Sequence, residues 1–357
     1  MSPTEAERRK AESEQDEFTW NGVGVDRTQP READVDDARL PIPRQGPFVV
    51  HCTRVKSRVP RSSGATGHWE HRDRNPSMVM VQQVRVQDLS VSPTLTALCA
   101  GYETGSWRTP ELVDDVFQRH LPSFALSFTD WNGINGDTAA KMLKKAAESV
   151  YSTQKYRRRG EFGELLLHAA VKDFFDAQPA VSKIHFKDSG NDTVKGFDCV
   201  HIIEHDGEIE LWLGEVKFYK NLTKAIADST DELKDHLAKD FLRREFVAIT
   251  NKLDPQWPHA AKVSSLLDNA RSLDEILSHL VIPVMLTYDS HAVNAHTVVD
   301  DVYIAELTLE VNKALQDFRD KLQVPYPVTL HLILAPLHDK DRLTNLFHQK
   351  LQVWKHL

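Results

Sequence analysis

Three side chains near the middle of the chain have types and spacing that could do chemistry. They are Asp198, in Gly196-Phe197-Asp198, and Glu215 and Lys217, in Gly214-Glu215-Val216-Lys217. A β-hairpin is predicted between them. Val200, Ile202 and Ile203 mark its first strand, and Ile209, Leu211, Trp212 and Leu213 its second. Asp206-Gly207 lies between the strands and is a strong signal for a two-residue type I′ turn. Such a turn sets the register. His205 faces Glu208, and counting outward places Asp198 opposite Glu215. Directly opposed residues hold their Cβ atoms about 4.5–5.5 Å apart. Lys217, two residues further on, points to the same face, and Gly196 opposite it leaves room for its side chain. Carboxylates this close repel unless one has a raised pKa or a divalent cation lies between them. The neighbouring pairs on that face, Val200 with Leu213 and Ile202 with Leu211, are apolar, so the acids end a strip that should pack inward.

Asp198, Glu215 and the Val216 carbonyl, with an acid from a nearby helix, are hard oxygen donors suited to Mg²⁺ or Mn²⁺. An ion held there polarises a phosphate and acidifies a bound water. Lys217 would orient that water or neutralise charge on the transition state. The expected outcome is hydrolysis of a phosphodiester bond. The competing reading is a buried Asp–Lys–Glu salt-bridge network, since structural ion pairs also cluster charges. An Asp followed by Glu-x-Lys on the next strand resembles the pattern of the PD-(D/E)xK nucleases. The predicted order of elements, helix, strand, hairpin, helix, strand, matches the core of that fold. The resemblance implies a further acid from the first helix. Glu161 and Glu164 share a helix face. Glu164, one turn inside, is the first choice, while Glu161 can instead stabilise the helix start through the dipole. His168 lies one turn beyond Glu164 and could approach the site, although packing is the commoner role for such a residue. His201, His205 and Cys199 fall on the opposite face of the hairpin from Asp198.

The surrounding elements give an α/β chain. Residues 1–45 are polar, acidic and unpatterned, and read as a disordered or partner-ordered tail. Residues 46–150 form an N-terminal α/β region, with strands at 48–55 and 78–87, a helix at 109–119, a strand at 124–128 and a helix from Asp137 to about 152. A change of phase between Val81 and Val84 suggests a bulge. Residues 151–357 form the nuclease-like domain: a helix opened by Gly160, a strand at 182–187, the hairpin, a helix at 222–239 and a strand at 245–250. Helices at 260–270 and 273–279, a strand at 280–288, a helix at 302–322, a strand at 328–335 and a helix at 340–355 complete it. The fold class is therefore a PD-(D/E)xK restriction-endonuclease-like core, a mixed central sheet flanked by helices, with an N-terminal α/β extension.

The net charge of −8 counts against a generic nucleic-acid binder, but the charge is uneven. Acids crowd the first 40 residues. A basic stretch runs from Arg54 to Arg74, and Lys155, Arg157, Arg158 and Arg159 directly precede the Glu164 helix. Each basic cluster is either a solvated surface or a set of phosphate contacts. Cys52, Cys99 and Cys199 lack a C-x-x-C spacing, which fits a reducing compartment better than a disulfide scaffold or structural zinc. No apolar run is long enough to span a membrane. A soluble bacterial cytoplasmic protein is expected. Gly133-Ile134-Asn135-Gly136 lacks a following Lys-Ser/Thr, so the chain carries no phosphate-cradling loop for NTP hydrolysis.

The runs Arg159-Gly160-Glu161-Phe162-Gly163-Glu164-Leu165-Leu166, Lys195-Gly196-Phe197-Asp198 and Trp212-Leu213-Gly214-Glu215-Val216-Lys217 resemble the HamA family, the nuclease subunit of the bacterial Hachiman anti-phage system. That resemblance implies a metal-dependent DNase working beside a superfamily-2 helicase, HamB, which restrains it until invading or damaged DNA is met. It places Asp198, Glu215 and Lys217 at the catalytic positions and Glu164 as the helix acid. Two other readings remain at this point: a nuclease fold retained as an inactive adaptor that docks a partner protein, and an RNase.

Overall fold

The computed structural model describes residues 80–150, 160–181, 196–322 and 327–357. The acidic tail, the expected strands at 48–55 and 182–187, the start of the strand at 78–87, and both basic clusters lie outside the described residues. In order, the elements are β1 (Gln83–Asp88), β2 (Thr94–Cys99), β3 (Tyr102–Glu103), β4 (Ser106–Trp107), α1 (Thr109–Ala125), α2 (Phe128–Asn132), α3 (Ala139–Val150), α4 (Glu161–Phe175) and β5 (Gln178–Val181). Then come β6 (Cys199–His205), β7 (Glu208–Phe218), α5 (Leu222–His236), α6 (Lys239–Lys252), α7 (Ala260–Leu266), α8 (Leu273–Leu277), β8 (Leu280–Asp289), α9 (His291–Ala295), α10 (Asp301–Leu322), β9 (Thr329–Leu337) and α11 (Lys340–Lys355).

One mixed sheet in the order β1-β2-β9-β8-β7-β6-β5 organises these elements. β2, β9, β8 and β7 run parallel to their neighbours, and antiparallel pairs close both edges. β8 is buried from Leu280 to Tyr288, as expected for a parallel strand covered on both faces. Pro283 breaks the β7–β8 pairing beside Leu213 and Gly214, because proline has no N–H for the ladder. On one face Phe162 of α4 and Phe117 of α1 stack against Phe347 of α11, at 4.9 and 5.8 Å between ring centroids. α5 and α10 pack together and α5 covers the other face at β7 and β8. No helix among the described residues is long and apolar enough to cross a membrane.

Several expectations need correction. Residues 245–250 are helical, not a strand. Leu242, Phe246 and Ile249 are buried while Val247 is exposed, so the spacing is that of a helix face. Residues 124–128 are not a strand either. α1 continues past Pro122 to Ala125, and α2 begins at Phe128. The entry to α3 is capped by Asn135, whose side chain accepts the Thr138 amide, and not by Asp137. The β1 bulge falls between Val84 and Val86. β2 and β5 were not anticipated.

Candidate active site

The hairpin has the register dictated by its turn. Asp206 and Gly207 both have positive φ, 51° and 87°, the conformation of a type I′ turn. His205 pairs with Glu208, and the ladder runs out to Cys199 opposite Gly214. Beyond that pair the Asp198 amide donates to the Gly214 carbonyl at 2.7 Å, so the carbonyl opposite Cys199 also holds Asp198, and the regular ladder stops one residue short of Asp198 and Glu215. The Asp198 carboxylate accepts the Val216 amide through Oδ2 at 2.9 Å, so its side chain is tied to β7.

Asp198, Glu215 and Lys217 come together in a buried setting. Glu215 is 2% exposed and both others 8%. Lys217 Nζ donates to Glu215 Oε1 at 2.7 Å and also reaches the Glu232 carboxylate from α5. Burial alone would lower the lysine pKa, but Glu215 and Glu232 raise it instead. Burial pushes the Glu215 carboxyl up to about 7 and the charge of Asp198 adds to this, while His236 and Lys217 oppose it. Glu215 Oε2 lies 3.5 Å from His236 Nδ1. Neither atom has a hydrogen-bond partner among the described residues.

Gly196 serves a neighbour other than Lys217. A Cβ there would sit 2.8 Å from both Glu245 oxygens, and the Phe197 amide donates to Glu245 Oε1 at 3.2 Å. The space beside Gly196 is therefore filled by an acid from α6.

α4 lies against the other face of the hairpin. A Cβ on Gly163 would meet Phe218 Cβ at 2.7 Å, and one on Gly214 would meet Leu167 Cδ2 at 2.8 Å. Glu161 and Glu164 are buried in the first turn of α4. The Cys199 thiol is raised far above its usual pKa by burial, then by Asp198, with Glu164 and Glu215 contributing. His168 points elsewhere. Its ring nitrogens meet Ser123 Oγ at 2.9 Å and His201 Nε2 at 3.0 Å, in a buried layer between α1, α4 and the hairpin. His331, in β9, is tied across the sheet to Thr94 and Thr96 of β2. A separate cavity of about 350 Å³, lined by Ser123, Phe128, Trp131, Val181 and Asp254 among others, shares no residue with the carboxylates.

Glu232, His236 and Glu245 were missed in the sequence. Part of the signal was present. Ile226, Ser229, Leu233 and His236 form the buried stripe of α5, and Glu232 lies one turn before His236. Which neighbour that stripe meets is set by sheet order, which the helix pattern does not contain.

The fold and site define a mixed α/β protein with a buried carboxylate–lysine cluster at the end of a hairpin. The HamA family model matches residues 78–351, and the chain belongs to the HamA family. Membership associates it with Hachiman defence. No curated protein matches the chain.

Proposed function

We propose that this chain is a metal-dependent endonuclease that hydrolyses DNA phosphodiester bonds, the effector of a Hachiman system restrained and delivered by the helicase HamB. The observation that carries this reading is the burial of Asp198, Glu215 and Lys217 together at the end of the hairpin, with Lys217 donating to Glu215 at 2.7 Å. The order α4, β5, β6–β7, α5 and then, after the helices α6, α7 and α8, β8, with β7 parallel to β8, supports a PD-(D/E)xK core.

The donors suit Mg²⁺ or Mn²⁺. A buried carboxylate whose Oε2 has only the His236 ring, 3.5 Å away, beside it among the described residues, and whose pKa is raised to about 7, is the kind of group that a cation relieves. Asp198, Glu215, the Val216 carbonyl and Glu164 would hold the ion, which when bound polarises a phosphate and acidifies water. Lys217 would position the attacking water and offset charge on the phosphate oxygens. The Val216 amide keeps Asp198 aligned before any ligand arrives. Lys155, Arg157, Arg158 and Arg159 precede α4 and would contact phosphates. The net charge of −8 fits delivery by a partner.

The test is incubation of the full chain, alone and with the helicase, with plasmid DNA, linear DNA and RNA in Mg²⁺, Mn²⁺ or EDTA. DNA cleavage should vanish in EDTA and fall on the order of 10²–10³-fold in Lys217→Ala. Preferential RNA cleavage would make the chain an RNase. The pairing of Lys217 with both Glu215 and Glu232 favours one second reading, a structural ion network in an inactive adaptor. Full anti-phage protection by both Asp198→Ala and Lys217→Ala would establish it.

A further inference from the structure

We propose that Glu215, Glu232 and His236 form a divalent transition-metal site that shares the Glu215 carboxylate with Asp198. It builds on the nuclease reading only through that shared residue. The three side chains each present a donor atom within 4.8 Å of the others. His236 Nδ1 is 3.5 Å from Glu215 Oε2 and is the nitrogen that would bind; the other nitrogen, Nε2, is 4.0 Å from Glu232 Oε1, so the Glu232 carboxylate lies alongside the ring and would turn toward the ion.

A cluster of acids alone would not define a site. The independent sign is that Glu215 Oε2 and His236 Nδ1 are buried and face one another at 3.5 Å, and among the described residues neither makes a hydrogen bond to any other group. His236 is only 4% exposed. Bonds of roughly 2.0–2.2 Å to a tetrahedral ion set neighbouring donors about 3.4 Å apart, so this gap already has the size of a coordination edge. Lys217 does not compete for the same atoms. It takes Glu215 Oε1 and Glu232 Oε2, leaving the other oxygen of each carboxylate toward His236.

The charge and rigidity of the cluster agree with this assignment. Asp198, Glu215 and Glu232 against Lys217 leave two negative charges in excess, which a divalent ion would balance. The His236 ring is stacked on Phe241 at 4.4 Å between centroids and 15° between planes, with the Phe197 ring at 5.0 Å and 62°. The nitrogen is therefore aimed before an ion binds. Glu232 has a side chain 41% exposed, which leaves a way in from solvent. One imidazole and two carboxylates suit Mn²⁺, Co²⁺ or Zn²⁺ better than Mg²⁺. Three protein donors leave a coordination position open, the arrangement of catalytic and not structural metal sites.

The experiment titrates Mn²⁺ and Zn²⁺ into EDTA-stripped full-length chain by calorimetry, and records histidine-nitrogen coupling to bound Mn²⁺ by pulsed EPR. His236→Phe keeps the ring stack but removes the nitrogens, and Glu232→Gln alters a partly exposed residue, so both should fold. Each should weaken binding by about 10–100-fold or more, and His236→Phe should abolish the nitrogen signal. Asp198→Asn should keep that signal. Unchanged binding in His236→Phe and Glu232→Gln, or absence of nitrogen coupling in the wild type, would overturn the proposal. A nitrogen-coupled ion in a chain that cuts no nucleic acid would refute the nuclease reading and leave the site standing.

Discussion

Replacing Gly214 with alanine tests the register on which the candidate site depends. A Cβ at this position would lie 2.4 Å from Cys199 Sγ and 2.8 Å from Leu167 Cδ2. Ordinary contacts between such atoms are roughly 3.5–4.0 Å, so the sulfur contact is more than about 1 Å too short. The strand cannot easily retreat, because the Gly214 carbonyl accepts the Asp198 amide and Leu213 pairs with Val200. Overpacking of this kind costs about 1–3 kcal/mol, with the upper end expected here. Alanine recovers about 0.5–1 kcal/mol of backbone entropy relative to glycine, leaving a net loss of about 2 kcal/mol. Cys199→Ala alone removes one buried sulfur and should cost about 1 kcal/mol. In the double variant the alanine methyl takes the volume of the missing sulfur. The pair should then lose about 1 kcal/mol in total, where independent effects would sum to about 3. Urea unfolding of the four proteins, followed by far-ultraviolet circular dichroism, reads the cycle. Additive losses would show that residues 199 and 214 are not opposed. The hairpin would then be out of register, and Asp198 and Glu215 would not share a face.

The histidines of the buried layer supply a pH prediction. Burial, with Lys172 adding, depresses His201 from an ordinary value near 6.5 to about 3. A depressed folded value gives stability that is present above about pH 6.5 and is lost as pH falls toward 3. Between pH 6.5 and 5 this one residue should remove about 2 kcal/mol, and His201→Gln should flatten the urea midpoint over that window. An unchanged slope would mean that the ring is not held neutral. Asn221→Ala removes the cap that accepts the Lys224 amide at 2.8 Å at the start of α5. It should cost about 1 kcal/mol and speed amide exchange in the helix that carries Glu232 and His236, with Asn221→Asp largely normal. Exchange confined to its wild-type rate would refute that role for the cap.

Much of the candidate site was legible because its geometry is local. Asp206 and Gly207 adopt the left-handed conformations that a two-residue turn needs, and a turn of fixed type admits one register. The pairing of the strands out to Cys199 and Gly214, beside Asp198 and Glu215, followed by counting. α11 was legible from its own pattern and β8 from its apolar run. The 245–250 segment misled because Phe246, Val247 and Ile249 suit either structure, and only burial at Leu242, Phe246 and Ile249 decides for a helix.

The sequence by itself therefore determined the register of the hairpin that carries two acids and a lysine at its open end, since every interaction that sets this lies within twenty residues or so of the turn. Tertiary structure alone decided what surrounds them. β9 inserts between β2 and β8, α5 brings Glu232 and His236 to Glu215, and α6 places Glu245 against Gly196. Those neighbours depend on which apolar faces find each other across long stretches of chain. Hydrophobic burial drives that association without direction, and only the packed sheet and helices fix its outcome.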